Sequence, residues 1–264
     1  MRGIEGDPAL EHELRAALER LLHVFPEHLA RPQPPVAFEA AELVQNARFD
    51  AILAAHRKDR LTLPIQVLRS AGAPYHGFER MRPRRLAWFV PSLLASWLDR
   101  APAAGDEPFG ASDLEALVGE GGEWTDEEHV ALRAFFEVAL DAALATPLRR
   151  AHAPAQARPL EDGVRVWSLH SPSLPLEILR VANALHVPLD ALAARWALDP
   201  SPLALDHLLE AVFDTTVASK HYLSHEAVAD RLDEAFFAAT GEHQERLAKA
   251  EATVRRNITR RQDD

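Results

Sequence analysis

Five titratable residues, His207, Glu210, Asp214, His221 and His225, recur at a spacing that could do chemistry. On one continuous helix, at about 100° per residue, they fall within an arc of about 60°. His221 and His225 are four apart, which lets two imidazoles on successive turns share a metal ion. They are the candidate metal pair of a metal-dependent enzyme or metal-binding protein. Two considerations favour a plainer reading. The arc lies opposite Leu205, Leu208, Leu209, Val212 and Thr216, and is therefore expected to face water. His207 to His225 would also span about 27 Å at roughly 1.5 Å per residue, beyond the reach of one ion. A solvated polar face is expected, with no metal and no cofactor.

Other arrangements offer less. Glu11-His12-Glu13, Glu27-His28, Asp126-Glu127-Glu128-His129 and Glu242-His243 do not form the H-E-x-x-H of a zinc protease or the Glu-x-x-His pairs of a di-iron bundle. No nucleophile elbow, Walker loop or dinucleotide-binding glycine fingerprint is present, and 11 glycines leave little material for a phosphate-cradling loop. The absence of cysteine excludes disulfides, thiolate zinc sites, iron–sulfur clusters and cysteine nucleophiles. No catalytic residue is assigned, and an enzyme is the less favoured reading. The aromatic residues Trp88, Trp97, Phe135 and Phe136 could line a pocket, but at helical spacing they read first as core. Leu179 to Leu192 resembles the last two helices of a phage-repressor DNA-binding domain. Those helices pack the domain, and the base-reading helix would lie upstream, where the chain is Pro-rich instead.

Helices dominate the elements that must position these residues. Leu10, Leu14, Ala17, Leu18, Leu21 and Phe25 space one apolar face before Pro26. A second pattern runs from Phe38 towards His56. Leu86, Phe89, Val90, Leu93, Leu94 and Trp97 form a wide stripe interrupted by Pro91, so this segment is a kinked helix or two abutting ones. Thr125 with Glu128 makes a capping box, and Ser112 with Glu115 repeats the pattern. Ser201 followed by Pro202 opens another helix, and one more begins after Ser224. The last helix starts near Gly241 with a thin stripe of Leu247, Val254 and Ile258, and is expected to project, pair with a partner or fray. Val164 to Leu169 alternates apolar and polar residues and reads as a short strand.

The expected fold is all-α, with bundle-like or orthogonal packing and at most one short β element near 164–169. The expected organisation is an N-terminal helical domain over 1–150, a Pro-rich connector over 151–174 and a C-terminal helical region over 175–264. Residues 50–145 resemble an uncharacterised, mostly helical bacterial family, a domain of unknown function. Trp88-Phe89-Val90-Pro91 and the helix capped at Thr125 and leading to Phe135-Phe136 carry that likeness. The resemblance implies a helical fold and brings no catalytic residue. Met81 to Arg85 is richer in arginine than the family pattern, and the C-terminal half lies outside it.

The 264 residues are 47% hydrophobic and 26% charged, an ordinary globular composition. No window is long and apolar enough to cross a membrane, and the first residues lack the apolar core of a signal peptide, so a soluble cytoplasmic protein is expected. The net charge of −11 disfavours bulk binding to nucleic acid or anionic lipid, although Arg255, Arg256, Arg260 and Arg261 form a local basic patch. The leading functional reading is a non-enzymatic protein acting through protein–protein interaction or self-association, regulatory or antagonist in type. The metal-dependent reading at His221 and His225 is the alternative. DNA binding through the helices of 176–198 and the arginine-rich C-terminus is a further one.

Overall fold

The computed structural model describes residues 8–26, 51, 55, 83–98, 124–145, 174–214 and 221–263. The described residues form eight α-helices and no strand, so the fold is all-α. The helices are α1 (Pro8–Val24), α2 (Pro83–Leu98), α3 (Asp126–Ala145), α4 (Leu174–Ala184), α5 (Leu189–Leu198), α6 (Pro202–Phe213), α7 (Glu226–Ala238) and α8 (Gly241–Asp263). The expected strand at 164–169, the helix capped at Ser112, the Pro-rich stretch before Leu174 and nearly all of the Phe38–His56 pattern lie outside the described residues. No helix of the described residues is long and apolar enough to cross a membrane.

Two compact units divide the chain, and neither is continuous in sequence. One comprises Met1–Gly3, Arg15–Leu132 and Pro159–Ser168; the other comprises Ile4–Leu14, Arg133–Arg158 and Leu169–Asp264. The division falls within α1 and α3.

In the first unit, α2 runs unbroken through Pro91, so the segment is one helix and not two. Trp88, Phe89, Val90, Leu93, Leu94 and Trp97 are all fully buried, which makes these aromatics core residues. The Trp88 and Phe89 rings meet edge to face with centroids 4.8 Å apart, and Phe25 meets Trp124 the same way at 5.8 Å. The start of α3 is fixed by its capping box: the Thr125 amide donates to Glu128 Oε2 at 2.8 Å, and the Glu128 amide donates to Thr125 Oγ1 at 3.3 Å.

The second unit holds α4 to α8 and the later part of α3. Phe135, Phe136, Ala139 and Leu140 are buried along α3, and the Arg195 guanidinium of α5 forks onto both oxygens of Asp141. The Trp196 indole N–H donates to the Ala204 carbonyl at 3.2 Å, tying α5 to α6. Ser201 caps α6 by accepting from the Ala204 amide at 3.0 Å, with Pro202 in the first turn, where its missing N–H costs nothing. Helices α7 and α8 form an antiparallel hairpin: Gln244 reaches the Phe236 carbonyl at one end, and Arg261 reaches the Ser224 carbonyl at the other. α8 also packs on α6, and α5 packs on α7. Leu247, Ala250, Val254 and Ile258 are buried, so the thin stripe of the last helix is covered by its own chain rather than left projecting.

Candidate functional site

The turn between α4 and α5 sets the geometry of a cleft. The Val187 amide donates to the Ala182 carbonyl and the His186 amide to the Asn183 carbonyl, both at 2.9 Å. This is a Schellman closure, which puts one residue just past the helix into the left-handed region. That residue is ordinarily glycine; here it is His186, at φ 56°. The next turn of chain opens α5 with Pro188 at the N-cap, which offers no side-chain oxygen to the first amides. Asn183, His186, Val187, Pro188, Leu189 and Asp190 thus form one wall of a cleft of about 270 Å³. His221 and Arg261 complete it.

Beneath the rim, Asp190 Oδ1 lies 2.7 Å from His225 Nδ1. The histidine is buried and the aspartate exposed, so the imidazole is anchored from the solvent side. His225 is the N-cap residue of α7, and its carbonyl accepts from the Val228 and Ala229 amides while its ring is free to turn towards α5. Burial pushes this imidazole below its ordinary value of 6.5, and Arg261 adds to that; Asp190 pulls the other way without overcoming it. The neutral ring donates from Nδ1 to the Asp190 carboxylate. Its Nε2 is buried and has no hydrogen-bond partner among the described residues. A carboxylate orienting an imidazole is the geometry of a general base. However, His225 does not line the cleft, so this pair acts as a bolt between α5 and α7.

The histidines read from sequence as one water-facing arc are separated by the structure. Helix α6 ends at Phe213, and α7 begins only at Glu226, so the five residues do not share a helix. His207 and His225 are buried at 3% and 7% exposure, contrary to the expectation that both face water. The apolar face of α6 is wide enough to take in His207 with Ala204, Leu208 and Ala211. Glu210 stays exposed and pairs with Arg246 of α8 at 2.5 Å. His221 and His225 are not a pair on successive turns: His221 is exposed on the cleft, while His225 has committed Nδ1 to Asp190. No group of three or more His, Asp or Glu among the described residues is placed to hold a metal ion.

No family model, no curated protein and no solved structure matches this chain. The sequence singled out His221 only as a metal-ligand candidate and Arg261 only as part of a basic patch, and Asn183, His186 and Asp190 were missed. One local signal was legible for these, a histidine where a helix would ordinarily close on glycine, two residues ahead of Pro188.

Proposed function

We propose that this chain is a non-enzymatic cytoplasmic protein that binds an acidic partner protein through the outward face of α8. One observation carries the reading. Lys249, Arg256 and Arg260 are exposed and fall within an arc of about 40° along the helix. None of the three has an ion pair among the described residues. The other arginines of the helix are engaged: Arg246 with Glu210, Arg255 with Glu226, Asp230 and Glu251, and Arg261 with the Ser224 carbonyl. A row of unanswered cations on a chain of net charge −11 is a local reversal of sign, and complementary charge gives recognition its orientation and speed. Because the apolar stripe of α8 is already buried, this partner is met by charge rather than by a shared apolar seam.

The test compares untagged wild-type protein with K249E/R256E/R260E, both purified gently at low salt from the native host and treated with nuclease. A stoichiometric acidic protein retained after nuclease and lost from the variant is the expected result. Cargo released by nuclease would replace the proposal with nucleic-acid binding through the same face. The same bound species on both proteins, or none on either, in native mass spectra would overturn it.

A further inference from the structure

We propose that the cleft between the α4–α5 turn, His221 and Arg261 binds a small organic carboxylate that also carries a hydroxyl or amino group. The volume of about 270 Å³ suits a compact molecule rather than a nucleotide. The wall is divided by chemistry. Pro188 is exposed and offers apolar surface to a carbon skeleton, with Val187 and Leu189 buried beside it, while Asn183, His186, His221 and Arg261 are side chains of the lining that can donate hydrogen bonds.

Arg261 is the anchor. Only one of its nitrogens is engaged, Nη1 on the Ser224 carbonyl at a long 3.5 Å, which leaves donors in the fork that matches a carboxylate. Asp190 sets the second requirement. Its Oδ1 is held by His225, which fixes the carboxylate at the cleft wall, and Oδ2 remains as an acceptor. An anion with no donor of its own would meet Asp190 as a like charge. An anion with a hydroxyl or amino group would hydrogen-bond to it. The charged groups lining the cleft are therefore Arg261 from α8 and Asp190 from α5, and the imidazoles of His186 and His221 line it too.

His186 gives independent support. A left-handed backbone angle on a residue with a side chain carries a cost that glycine would not incur. Strained backbone of this kind concentrates where a side chain is needed in place. Here the strain holds an imidazole on the lip of the cleft.

The probes are sodium lactate, sodium propionate and inorganic phosphate, titrated into the full chain while the imidazole C–H resonances of His186 and His221 are followed by NMR. The expected result is saturable movement of both signals with lactate, and affinity about tenfold weaker for propionate, which lacks the hydroxyl. R261Q, a change at an exposed helix end, should weaken lactate by at least about tenfold with unchanged thermal stability. H186G should weaken lactate while raising stability, a combination that a merely structural histidine would not give. Non-saturable shifts, shifts equal in R261Q, or saturation by phosphate alone would each overturn the proposal.

Discussion

At the scale of single residues, His225 shows how burial decides the state of an ionisable group. Leaving water disfavours the charged ring more than Asp190 favours it, so the native state holds this imidazole neutral below its ordinary value of 6.5. The sign of the linkage follows. Below about pH 6.5 the unfolded chain takes up a proton at this position that the folded chain resists, so the contribution of His225 to stability is complete above that pH. It declines as the pH falls from 6.5 through the lower native value. H225N keeps a donor for Asp190 and removes the titration. Denaturation curves taken from about pH 7.5 to about pH 5.5 should therefore fall less steeply for the variant than for the wild type. Parallel curves would show that His225 does not resist protonation. None of this was visible in the sequence, because the burial of His225 depends on α5, thirty-odd residues upstream, closing over the start of α7.

Element by element, the sequence was most legible where the physics is local. The Thr125–Glu128 box and the Ser201-Pro202 start depend on residues within a turn of one another, and both stand in the structure as read. The apolar residues of α2 were found, but its described side chains from Ala87 to Leu98 are buried all round rather than along one stripe. The polar face from His207 to His225 was misjudged for the opposite reason. Periodicity carried across the gap between α6 and α7 implied one polar face, whereas Ser224 and His225 lie in non-helical backbone and restart the count. The apolar stripe of α8 was found, but its destination was not, because four small or aliphatic residues on an otherwise charged helix do not say which helix covers them. The capping box can be measured at this scale. T125A should cost about 1 kcal/mol by removing the acceptor for the Glu128 amide. A double-mutant cycle with E128A, which removes the acceptor for the Thr125 amide, should show coupling of at least about 0.5 kcal/mol, since the two bonds are reciprocal. Strict additivity would mean that the two bonds form independently.

For the whole molecule, α8 has two faces with separable duties. One buries Leu247, Ala250, Val254 and Ile258 within the second unit; the other presents Lys249, Arg256 and Arg260. Deleting residues 241–264 therefore cannot test binding, because it strips the cover from α7 as well. Point substitutions separate the duties. Leu247 is fully buried, so L247A should cost about 2–5 kcal/mol, read as a lower denaturation midpoint. The charge reversal K249E/R256E/R260E changes exposed side chains without ion-pair partners among the described residues, and should alter stability by less than about 1 kcal/mol. The reversal takes the net charge from −11 by six further units to −17. Self-repulsion and a carboxylate at position 260, in the last turn of α8, are the routes by which it could destabilise the fold, and added salt would weaken both. Each variant should thus disturb one face and spare the other: L247A lowers the midpoint and keeps the charge pattern, and the triple reversal keeps the midpoint and removes partner affinity. If the reversal unfolded the unit at every salt concentration, the cations would belong to the fold, and a partner for them would no longer be required.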